Sequence, residues 1–201
     1  MNTKLRDFIC EKLRSTKREG IEHLINYLDE NDYFTAPAST RYHGAYEGGL
    51  AEHSVNVLDC MLSVDKMLYD VYGMPRDDEN SIILVALLHD LCKINCYKVE
   101  QKWRKDANNK WESYDAYVRT PDLAMGHGGK SVYLAMKNIE LSEREAQAIF
   151  WHMGPYDKSE YMTSNEMGEA FTKNSLAYKH NTADMMATYV LENETIEWGN
   201  W

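Results

Sequence analysis

The sequence predicts a mostly helical domain with one β-hairpin set into it. Three observations carry this. Ile82 to Leu88 is an unbroken apolar run, opened by Asp77, Asp78 and Glu79, and reads as a helix buried on most sides. Leu50, His53, Val57, Met61, Val64, Leu68 and Val71 recur at three- and four-residue spacing, the stripe of an amphipathic helix. Tyr97, Val99, Gln101 and Trp103 alternate with Lys98, Glu100, Lys102 and Arg104, and Trp111, Ser113, Asp115 and Tyr117 alternate in the same way, which is the period of a strand.

Taken in order, residues 3–30 give one or two helices, because Leu5, Phe8, Ile9 and Leu13 and then Ile21, Leu24, Ile25 and Leu28 keep helical spacing around a weak point at Gly20. Residues 31–49 form a loop, broken by Pro37 and three glycines, yet rich in Tyr, Arg and His; ordered loops of this kind often line sites. The striped helix spans 50–72 and stops at Gly73 and Pro75. The apolar helix spans 77–93. The hairpin occupies about 96–119 and turns over Asp106 to Lys110, where Asn tolerates left-handed backbone. It either covers a substrate or partner, or simply faces solvent. A helix opens at Met125 to Ser131 and runs to about Asn138. The next covers 143–153 behind a Ser142/Glu145 capping box. Residues 154–165 are a loop, 166–192 are helical, and the tail from Glu192 to Trp201 has no clear pattern.

The chain has 201 residues, enough for one core and one domain over 1–201, with N-terminal helices in 1–30 and the main core in 40–190. A net charge of -10 speaks against long nucleic acid as a partner, so a phosphate-bearing ligand needs a local positive site. There is no apolar run of about eighteen residues and no signal-like N-terminus, so a soluble, cytoplasmic protein is expected, without a membrane partner. Cys10, Cys60, Cys92 and Cys96 form no Cys-x-x-Cys pair and fit reduced thiols; Cys92 and Cys96 are read as packing.

The chemistry centres on His89-Asp90 at the end of the apolar run. A buried carboxylate beside an imidazole is costly unless a charge compensates it, and a divalent cation is the usual compensation. His53 occupies a core-facing position on its helix. Asp184 stands among small residues on the last one. Two imidazoles and two carboxylates suit Zn, Mn, Fe, Ni or Co, and magnesium is admissible though less well matched. His127 and His152, near helix ends, extend the set to a second ion with Asp90 as the bridge. Lys93 follows Asp90 by one turn and can reach a phosphate oxygen.

The order His53, His89-Asp90, Asp184 resembles that of the HD-domain superfamily of metal-dependent phosphohydrolases. The segments Tyr42–His53 and Ala86–Lys93 are similar to the HD half of certain bacterial 3′-to-5′ exoribonucleases. The resemblance covers roughly residues 40–190. It implies an all-α, phosphodiesterase-like bundle, from which the hairpin departs. It implies metal ligands at His53, His89, Asp90 and Asp184, with His127 and His152 matching the extra histidines of a two-metal subgroup. Lys93 matches the substrate-facing lysine of a His-Asp-x-x-Lys pattern. The expected activity is hydrolysis of a nucleotide or short oligonucleotide through a metal-bound hydroxide, with Asp90 and Lys93 catalytic and Arg41, His43 and Lys130 meeting the substrate. Two alternatives stay open: a di-iron oxygenase of the same superfamily, and a metal-stabilised binding module without activity.

Overall fold

A computed structural model of the chain describes residues 2–120, 123–156 and 164–192. The described part is mostly helical, with one two-stranded antiparallel sheet. The helices are α1 (Thr3–Ser15), α2 (Ile21–Glu30), α3 (Gly49–Tyr72), α4 (Glu79–Leu88), α5 (His127–Met136), α6 (Glu143–Phe150), α7 (Ser164–Lys173) and α8 (Ser175–Met186).

Helix α4 is the axis of the bundle. Asp78 Oδ2 accepts the Ser81 N–H at 3.1 Å and starts it. Ile82 to Leu88 are all buried, because α1, α3, α6 and α8 pack around them. That enclosure explains a run with no polar face. Each such side chain contributes roughly 1.5–3 kcal/mol when fully buried. Helix α3 lies against both α4 and α8, and α6 lies against α8, so the element ends converge at one end of α4.

Several boundaries differ from the sequence expectation, and two share one cause. The apolar helix ends at Leu88, not residue 93; a 3-10 turn, Leu91–Lys93, follows. The His89 Nδ1–H donates to the Ala86 carbonyl at 2.8 Å, the acceptor that the Asp90 N–H would use in a continued helix. Helix α6 likewise ends at Phe150, not 153, and the His152 Nδ1–H donates to the Ile149 carbonyl at 2.6 Å. The region 166–192 is split into α7, α8 and a π-helical turn, Ala187–Leu191. Asn174 leaves helical geometry between α7 and α8, and its side-chain amide donates to the Arg144 carbonyl at 2.9 Å and to Gln147 Oε1 at 3.0 Å. Residues 157–163 of the expected loop and 193–201 of the tail lie outside the described residues.

The hairpin is as the alternation predicts: β1 (Tyr97–Lys105) pairs with β2 (Trp111–Arg119), from Tyr97 opposite Arg119 to Lys105 opposite Trp111. Asn109 takes a φ of 62° in the turn, and Asp106 Oδ1 accepts the Asn108 and Lys110 N–H groups, each at 2.8 Å. Its strands expose Val99, Trp103 and Trp111.

Two close backbone approaches shape the converging end. A Cβ on Gly49 would lie 2.0 Å from the Gly44 carbonyl oxygen, and one on Gly128 would lie 2.1 Å from that of Phe150. Only glycine lets the 41–46 loop sit on the start of α3, and the start of α5 sit on the end of α6.

Candidate metal centre

Five helices and one turn deliver side chains to the converging end. Helix α3 carries His53 one turn in. The end of α4 supplies His89 and Asp90, and the turn after it Lys93. Helix α5 begins with His127, α6 ends just before His152, and α8 carries His180 and Asp184. All but Lys93, His127 and Asp184 are essentially without exposed surface.

Asp90 sits at the middle. Its Oδ1 lies 2.6 Å from His127 Nε2 and 3.7 Å from His152 Nε2. Its Oδ2 lies 3.2 Å from His89 Nε2, 3.6 Å from His53 Nε2 and 2.5 Å from Lys93 Nζ. On the second side His53 Nε2 is 3.2 Å from Asp184 Oδ1 and 3.3 Å from His89 Nε2. Donor atoms of His53, His89 and Asp184 lie within 4.8 Å of one another, and so do those of His89, Asp90 and His152. The structure thus brings together His53, His89, Asp90, His127, His152 and Asp184, with Lys93 against them.

The ring nitrogens are sorted. His89, His152 and His180 each direct Nδ1 at a backbone carbonyl, that of Ala148 at 3.0 Å for His180. A carbonyl only accepts, so each of these three rings carries a proton on Nδ1 and turns Nε2 toward the centre. His152 Nε2 and His180 Nε2 are buried and have no hydrogen-bond partner among the described residues. Buried polar atoms without a partner are costly. A cation bound by imidazole and carboxylate satisfies such a set, so the residues fit a transition-metal ion.

Protonation follows the same geometry. Burial works to raise the Asp90 carboxyl, but Lys93, His89 and His127 overrule it and hold it well below the carboxylate range. Asp184 is held down in the same way, chiefly by its bond to His53. Burial pulls the His53 imidazole down, yet the bonds to Asp184 and Glu192 raise it to about 9. Burial, with the neighbouring His53, lowers His43 to about 4. His180 falls well below its usual value, by burial and by His89 and His152.

A cleft of about 820 Å³ opens beside the cluster. The 41–46 loop forms one wall, with Arg41 4.9 Å above the Tyr42 ring, and Thr188, Tyr189 and Leu191 form another. Arg41 and His43 therefore face this cleft. Lys130 does not: it is buried on α5, 4% exposed. Cys92 is buried, its Sγ 3.4 Å from both His127 ring nitrogens, and burial lifts its thiol to about 12.

The sequence reading assigned no role to His180, Glu192 or Asn56. The first had a signal, four residues before Asp184 on the same face. Glu192 and Asn56 had none, since only the tertiary fold brings them to His53.

One stretch of 58 residues is 45% identical to the dihydroneopterin 2′,3′-cyclic phosphate phosphodiesterase of Methanocaldococcus jannaschii. It covers 29% of this chain and 23% of that protein, so the match spans about a quarter of the relative's length. No protein-family model and no solved structure matches the chain. Among the described residues no helix is long and apolar enough to cross a membrane.

Proposed function

We propose that this chain is a single HD-type domain and a metal-dependent phosphodiesterase acting on a small, nucleotide-like phosphate ester. The observation that carries the reading is the Asp90 carboxylate, one oxygen turned to His127 and His152, the other to His53 and His89. With that division Asp90 would help to hold up to two ions. His53, His89 and Asp184 would hold one, His127 and His152 the other. Mn, Fe, Co, Ni or Zn suits the donor set, with Mg the poorer match. Such ions, when bound, polarise a phosphoryl oxygen and acidify water.

The chain's own groups do the rest. Lys93, 12% exposed beside Asp90, offers a point charge to a non-bridging phosphate oxygen. Arg41 and His43 line the cleft in which the remainder of the substrate would lie. The relative's activity, on a 2′,3′-cyclic phosphate, supports a compact diester over a long chain, as does the net charge of -10.

The test is metal analysis of protein purified without chelator, followed by a panel of cyclic and linear phosphodiesters with added Mn, Fe, Co or Ni. Expected is hydrolysis of a small diester that a chelator abolishes and metal restores. The reading fails if metal-loaded protein cleaves nothing, including bis(p-nitrophenyl) phosphate, and Asp90→Ala binds metal as well as the parent. Oxygen uptake with an organic substrate would move the assignment to a di-iron oxygenase.

A further inference from the structure

His53 differs from the other buried imidazoles in how its outer nitrogen is held. His89 and His152 lie at helix ends and take a carbonyl three residues back; His180 takes one from α6. His53 lies inside α3, where the carbonyls of the preceding turn serve the helix's own N–H groups. Its Nδ1 instead faces the Glu192 carboxylate, 3.0 Å from Oε1 and 3.1 Å from Oε2. Asn56, one turn along the same face of α3, donates from Nδ2 to Glu192 Oε1 at 2.8 Å. Glu192 follows the π-helical turn directly, its side chain 10% exposed, and it also lines the cleft.

We infer that Glu192 is the positioning residue for His53, with Asn56 fixing Glu192 in turn. The carboxylate accepts the Nδ1 proton, sets the tautomer, stops rotation of the ring and leaves Nε2 aimed at Asp184 and His89. A charged acceptor also makes Nε2 a stronger donor to a cation than a carbonyl acceptor does. Glu192 thereby ties a wall of the cleft to His53. This inference rests on the metal centre proposed above.

The test compares the full chain with Glu192→Gln, Glu192→Ala and Asn56→Ala, reading metal affinity by titration with Zn or Co. It also reads the melting temperature of the metal-free protein, and the His53 ring nitrogens by NMR of the Zn-loaded protein. Expected is weaker metal binding by about 10–100-fold in Glu192→Ala. Glu192→Gln, which keeps an acceptor oxygen, falls between it and the parent, and Asn56→Ala loses less than Glu192→Ala. The Nδ1 proton of His53, in slow exchange in the parent, exchanges fast in Glu192→Ala, and the metal-free melting temperature of Glu192→Gln stays with the parent. Unchanged affinity with an unchanged His53 spectrum overturns the inference. So does an affinity loss no larger than the fall in metal-free stability explains. If the parent itself binds no metal, the proposed centre falls instead.

Discussion

Lys179 and His180 are consecutive on α8, both buried without exposed surface, yet they belong to opposite kinds of polar cluster. Lys179 Nζ donates to Asp65 Oδ1 and Asp77 Oδ2, each at 2.7 Å, and to the Pro75 carbonyl at 3.0 Å. Asp65 also pairs with Arg76 and accepts the Asp77 N–H at 3.0 Å, while Asp77 Oδ1 takes Arg144 at 2.7 Å. All three ammonium protons are used and each carboxylate meets a cation. Around His180 the chain supplies imidazoles and carboxylates, one ammonium group on Asp90, and two ring nitrogens that meet no partner among the described residues. The first cluster is completed by the chain and fastens α8 to the segment between α3 and α4. The second leaves His152 Nε2 and His180 Nε2 without a partner among the described residues, as a site open to a cation would.

Breaking each cluster should separate activity from stability. The largest effect is expected from Asp90→Ala: hydrolysis falls by more than about a thousandfold, several kcal/mol of transition-state stabilisation, and metal is no longer retained. Steady-state rates and metal analysis check it. Lys179→Met comes next, because it removes the buried cation shared by Asp65 and Asp77 and leaves each with a single arginine; urea unfolding should show a loss of about 3–5 kcal/mol, with metal affinity of the folded protein unchanged. A stability loss from Asp90→Ala as large as that from Lys179→Met would erase the contrast.

A third measurement uses pH. In the proposed centre metal and proton would compete for His53 Nε2, and the folded imidazole is raised to about 9. Metal affinity by titration should therefore climb as pH rises toward that value. The metal-free protein should behave in the opposite sense. The raised imidazole contributes stability fully below the unfolded value of about 6.5, and that share is lost as pH rises through about 9. Burial of His43 and His180, whose values are lowered, works against stability at acid pH, while His152 and the buried Cys60 and Cys92 thiols are raised like His53, so the His53 share is the part of the loss above pH 7 that disappears in His53→Gln.

Smaller effects sharpen the geometry. Gly128→Ala would push a methyl group into the Phe150 carbonyl and should cost about 1–3 kcal/mol, with a further loss of hydrolysis because α5 carries His127. Gly168→Ala, inside α7 with nothing within 4 Å of the new Cβ, is the control and should stabilise slightly in thermal melts. The smallest change belongs to Trp103→Ala on the exposed hairpin, within about 0.5 kcal/mol by urea unfolding, leaving rates on small diesters unaltered.

Much of the frame was legible. The run at Ile82–Leu88 announced a helix buried on most sides, and alternation announced the hairpin, since both are local patterns. The approach of His53, His89, Asp90 and Asp184 was readable because each occupies a buried face of its own element. Helix ends were not. Periodicity continues past Leu88 and Phe150, while competition between an imidazole and a backbone N–H for one carbonyl leaves no trace in it. The Glu192–His53 pairing joins residues 139 positions apart and has no pattern at all. Asn174, which divides the expected last helix, is placed by α6 rather than by its own neighbours.

The imidazoles that close α4 and α6 make chain length part of the chemistry. Ring direction at His89 and His152 is set by where coiling ceases, so inserting or deleting one residue upstream in either helix would swing the ring about 100° around the axis. No repacking of side chains could bring it back. Such slippage is incompatible with the centre, whereas the hairpin that joins the two halves can lengthen or shorten at its tip without any histidine turning.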